Sequence, residues 1–127
     1  MKLLDRARGE SARPLVAVLC SVPLLGEAMD SVLEFADVRS FNGRRDTVGL
    51  LRWLKPDAIV VDSAEDAHDA MKATGDRDVP VLHIGVRDRT LRLLRNGEWE
   101  AIGNGDGPTP EVIRNVLAGC LFARGAS

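Results

Sequence analysis

Three short stretches in which nearly every residue is apolar constrain this chain most: LVAVLC (residues 15–20), AIVV inside DAIVVD (residues 57–62), and VPVLHIG (residues 79–85). A strand with one wet face alternates apolar and polar residues. A strand apolar at nearly every position must be covered on both faces, which calls for helices above and below a central sheet.

The segments between these runs have helical periodicity. Ser21 is a candidate N-cap with Pro23 in the first turn, and Leu24, Leu25, Ala28, Met29, Val32 and Leu33 recur at helical spacing. DVRSF (37–41) reads as a short second strand and NGRRD (42–46) as a turn, with Val48, Leu50, Leu51 and Leu54 marking a second helix that ends near Lys55. Ser63, followed three positions later by Asp66, resembles a capping box, and Ala67, Ala70 and Met71 give the third helix a small-residue face. TGDRD (74–78) ends that helix. The final helix has Thr109 as N-cap, Pro110 at its first position and an apolar stripe of Ile113, Val116, Leu117, Cys120 and Leu121.

Strands alternating with helices in this way predict an α/β domain of flavodoxin-like, three-layer form. Its central parallel sheet should have the strand order 2-1-3-4-5. The alternation breaks after the fourth strand. TLRLLRNGEWEAI (90–102) carries Asn96-Gly97 between two extended runs, a strong hairpin signal. A two-residue loop sets Arg95 opposite Glu98 and Leu94 opposite Trp99. Only VRDR precedes the hairpin, too little for a helix, so a β-hairpin replaces the fourth helix region.

Residues 1–13 read as a polar tail and 14–124 as one domain, since 127 residues suffice for a single core. The composition is 45% apolar and 28% charged with a formal net charge of −2, so no global charge draws the chain to nucleic acid or anionic lipid. Asp5 and Glu10 in the leader argue against a signal peptide, and no apolar run reaches membrane-spanning length. A cytoplasmic protein is expected, with Cys20 and Cys120 as buried free thiols and neither metal nor cofactor.

LKPDAIVVDS (54–63), together with the strand–helix rhythm over roughly residues 14 to 124, resembles the receiver domain of bacterial response regulators, the CheY-like family. The resemblance implies that Asp62 occupies the position of the phosphoacceptor aspartate. The remaining receiver pattern is missing. Receivers hold Mg²⁺ with acidic residues at the end of the first strand, whereas no carboxylate lies between Leu15 and Gly26. They end the fourth strand on Thr or Ser, where Gly85 stands here, and they need a lysine after the fifth strand. The lysines of this chain are Lys2, Lys55 and Lys72.

Phosphoryl transfer to a carboxylate brings two anions together, and Mg²⁺ and lysine neutralise that repulsion. Two like unit charges about 4 Å apart repel by about 4 kcal/mol at an effective dielectric near 20. A degenerate receiver acting by protein–protein interaction is therefore the expected function. A phosphorylatable receiver using Asp62 is the alternative, and a phosphocarrier or small enzyme using the Cys20–Ser21 loop is a further one.

Cys20, Ser21, Ser63 and Gly85 are candidates to line the cleft at the strand ends. GNGDG (103–107) reads as a connector, His83 as a core histidine and His68 as part of a solvated helix face. Leu91, Arg92, Leu93, Arg95 and Trp99 form a candidate interface, with Arg87 and Arg89 nearby. They are expected to bind a protein partner or a second copy, with a homodimer through the hairpin side as the expected assembly. With no output segment after Ser127, any effect is expected to be delivered by binding.

Overall fold

The computed structural model describes residues 13–21, 23–42, 46–74, 79–85, 89–95, 97–102 and 109–126, and their side chains except at 23–26, 42 and 122–126. The tail at 1–12, Arg87, Asn96, the GNGDG connector and most of the two turns, at 43–45 and 75–78, lie outside the described residues, as do the side chains of Leu24 and Leu25 in the first helical stripe.

The chain runs β1 (Leu15–Cys20), α1 (Pro23–Val32), β2 (Asp37–Asn42), α2 (Thr47–Leu54), β3 (Ala58–Val61) and α3 (Ala64–Ala73). It continues through β4 (Val81–Gly85), β5 (Thr90–Arg95), β6 (Glu98–Ala101) and α4 (Pro110–Ala126). The six strands form one sheet in the order β2-β1-β3-β4-β5-β6. The expected order 2-1-3-4-5 is present, but the sheet is parallel only through β4. Strand β5 runs antiparallel to β4, with His83 opposite Arg92 and Gly85 opposite Thr90. The cause is chain length. Residues 86–89 are all that separate β4 from β5, and a parallel crossover needs a dozen or more residues.

The hairpin register follows from the turn. Leu94 pairs with Trp99 and Arg95 with Glu98, and Gly97 takes a φ of 80°, which a two-residue loop with positive backbone angles requires.

Two apolar layers cover the sheet. On one face Val16, Val18, Val60, Leu82, Leu91 and Leu93 pack with Met29 and Leu33 from the α1 segment and with Ile113, Leu117, Cys120 and Leu121 from α4. On the other, Ala17, Leu19, Ile59, Val61, Val81 and Leu94 pack with Leu51 of α2 and with Ala67 and Ala70 of α3. β1 and β3 are buried at every position, as continuous apolar runs require. Burying each large aliphatic side chain contributes about 1.5–3 kcal/mol.

Local chemistry fixes the ends of the elements. The Ser63 hydroxyl accepts the Asp66 N–H at 3.1 Å, and the Thr109 hydroxyl accepts the Val112 N–H at 3.2 Å. The Asp46 carboxylate accepts the Gly49 N–H at 3.2 Å, capping α2. That helix ends on Lys55 in the left-handed region, φ 51° and ψ 60°, with its N–H returning to Leu51 O. Asp57, at the start of β3, clamps the start of β1. Its carboxylate accepts the Leu15 N–H at 2.8 Å, and its own N–H donates to Leu15 O at 2.7 Å. Arg13 holds the approach to β1 by donating to Glu34 O at 2.7 Å and Ala36 O at 3.0 Å.

Candidate functional site

The parallel strands β1, β3 and β4 end together, because Leu19 pairs with Val61 and Val61 with His83. That register sets Cys20–Ser21, Asp62–Ser63 and Gly85 along one edge of the sheet, where open α/β sheets hold their ligands.

The Asp62 carboxylate is half-exposed and already engaged. The Ser21 N–H donates to both of its oxygens, at 3.0 and 3.2 Å, and the Ser21 hydroxyl donates at 3.1 Å. Ser21 therefore serves the carboxylate across the cleft. Ser63 uses its hydroxyl to cap α3, and Gly85 brings no side chain. Cys20 is 2% exposed and belongs to the core layer under α1 and α4, its thiol donating weakly to Phe41 O at 3.8 Å. The edge thus presents one carboxylate held by a serine, with the cysteine turned inward. Among the described residues no three His, Cys, Asp or Glu side chains gather into a metal-binding set.

The hairpin residues divide between the two faces. Leu91 and Leu93 are 3% and 4% exposed and sit in the layer packed by α4, so they are core side chains and offer no interface. Arg95 points to that same side and donates to the Cys120 thiol at 3.8 Å. Arg92 and Trp99 project from the opposite face, which α2 and α3 cover only in part.

There they meet an unanticipated neighbour. His83 is half-buried, not a core residue, and its ring stands edge-on to Trp99, with centroids 6.3 Å apart and planes at 68°. Together with Ala64, Ala67, His68 and Met71 of α3, these three residues line an open groove of about 170 Å³. The histidines at 68 and 83 gave no sequence signal of their proximity. The signal available was the β-hairpin in place of a fourth helix, so that among the described residues no helix beyond α3 covers this face. No described helix is long and apolar enough to cross a membrane.

No protein-family model matches the sequence, and no curated protein matches it significantly. Solved structures do share the fold. The anti-anti-sigma factor PhyR from Bartonella quintana is 18% identical with a TM-score of 0.62, over 98% of this chain and 55% of that one. The response regulator PhyR from Brucella abortus is 20% identical with a TM-score of 0.62, over 98% of this chain and 56% of that one. The chain thus spans little more than half the length of either protein. At these identities the likeness shows a receiver-like α/β fold, the one that LKPDAIVVDS resembles.

Proposed function

We propose that this chain is a degenerate receiver-like regulatory module that works by binding another protein and not by accepting phosphate. The observation that carries the reading is the surroundings of Asp62. Its carboxylate is satisfied by a serine at the place where receivers carry metal-binding acids, and the chain has neither a hydroxyl at Gly85 nor a lysine after Lys72. A phosphoryl donor approaching Asp62 meets carboxylate charge without a compensating cation among the described residues, and the repulsion stays in the barrier. A regulator with that limitation retains its surfaces. The Bartonella quintana counterpart, an anti-anti-sigma factor, bears a name describing action on another protein, which fits the same mode.

The partner is a second protein in preference to a second copy of the chain. On the hairpin side the sheet ends at strand β6, which has only four residues, two of them Glu98 and Glu100. Like charges placed against one another oppose edge-to-edge pairing of two copies. The reading also disfavours an enzyme or phosphocarrier at the first strand end, since Cys20 is buried.

Incubation with acetyl phosphate and Mg²⁺, followed by intact mass measurement, should leave the mass unchanged. An adduct that disappears in Asp62→Asn would replace this reading with that of a phosphorylatable receiver.

A further inference from the structure

We infer that the groove between α3 and β6 is the docking site for one amphipathic, acidic helix of a partner protein; this deepens the proposed function and rests on it. Among the described residues the helix layer on this face stops at α3, while the sheet continues for two strands, β5 and β6. Two strands at about 4.8 Å spacing give the groove floor, where Arg92 and Trp99 lie, a width of roughly 10 Å, the diameter of one helix with its side chains.

The strip is built to receive one. Ala64, Ala67, His68 and Met71 recur at helical spacing along the α3 wall, and the alanines there allow close approach. Met71 is 37% exposed, an adaptable apolar contact, and Trp99 is a half-buried aromatic floor of the kind that anchors protein interfaces.

Charge selects the occupant. Arg92 is exposed on the groove floor, the imidazoles of His68 and His83 flank it, and no carboxylate is among the described lining residues. Glu65 and Asp69 of α3 lie off the lining stripe. An incoming helix with an apolar stripe bordered by Glu or Asp would give Arg92 a carboxylate to bind bidentately. A strand added at β6 would gain neither the α3 wall nor the Trp99 floor. The mode is helix-in-groove, with anchors one turn apart.

The test uses the full chain carrying Trp53→Phe, so that Trp99 is the only tryptophan; Trp53 is 77% exposed and dispensable to the core. The probes are two synthetic peptides of about 18 residues, long enough to hold a helix, with a Leu/Ala stripe bordered by Glu in one and by Lys in the other. The Glu peptide should shift Trp99 emission to the blue saturably. Arg92→Glu should weaken that binding at least tenfold and reverse the preference towards the Lys peptide.

Three results would overturn the inference: no binding of the Glu peptide, equal binding of both peptides by the parent chain, or Glu-peptide binding untouched by Arg92→Glu. Concentration-dependent dimerisation in light scattering, lost in Arg92→Glu, would assign the groove to a second copy and overturn it as well. Absence of peptide binding without a phosphate adduct rejects only the groove. An adduct on Asp62 rejects the reading on which the groove rests.

Discussion

Two aspartates bracket strand β3, and replacing each with alanine should give opposite impressions of which one matters. Asp62 is the one that the receiver resemblance singles out, yet Asp57 is the structural one. The Asp57 carboxylate accepts the Leu15 N–H at 2.8 Å in a partly buried setting, tying the first residue of β1 to the start of β3. A hydrogen bond to a charged acceptor is worth about 1.5–3 kcal/mol. Because Asp57 is half-exposed, water replaces part of what Asp57→Ala removes, so the expected loss is about 1–2 kcal/mol. With an unfolding entropy near 2.1 cal/mol/K per residue, each kcal/mol lowers the Tm of a domain this size by about 4 °C, giving a fall of about 4–8 °C.

Asp57→Asn keeps a carbonyl oxygen in place and should lose about half as much. Asp62→Ala frees only Ser21 groups at an exposed edge and should cost under about 1 kcal/mol. Urea unfolding followed by circular dichroism measures all three, with an unchanged m-value confirming that the folded state is the one affected. The reasoning is refuted if Asp57→Ala lies within about 0.5 kcal/mol of the parent chain, or if Asp62→Ala costs more than Asp57→Ala.

The remaining predictions concern helix ends and thiols. Lys55→Gly removes the strain of a side chain in the left-handed region and should raise stability by about 0.5–1 kcal/mol in the same assay, whereas Ser63→Ala removes the α3 cap and should lower it by about 1 kcal/mol. Cys20 and Cys120 should resist iodoacetamide in the folded chain and react fully in denaturant, as mass measurement would show, because both are buried.

Elements whose signals are local could be read directly from the residues. The Asn96-Gly97 loop set the Leu94–Trp99 and Arg95–Glu98 pairs because a two-residue turn permits one register, and Ser63 and Thr109 announced their caps within three residues. What escaped depends on contacts far apart in the chain. TLRLLR holds leucines on both faces of β5, so its pattern does not say that Leu91 and Leu93 go under α4 while Leu94 and Arg92 face α3. Ser21 met Asp62 only once β1 and β3 were paired, which a local N-cap rule cannot anticipate. His83 looked like a core residue because its strand neighbours are apolar. Its partial exposure, like the groove, lies where no described helix follows α3 on that face.

We propose that Asp62 sits at a receiver-like strand end that lacks, among the described residues, the cations that phosphoryl chemistry needs. Amide NMR spectra recorded during addition of Mg²⁺ and beryllofluoride test it most directly, since the pair mimics a phosphorylated aspartate and reports through Ser21, Asp62, Ser63 and Gly85. The expected result is that these amides stay in place as both reagents are added in excess. Saturable shifts centred on Asp62, abolished by Asp62→Asn, would contradict it.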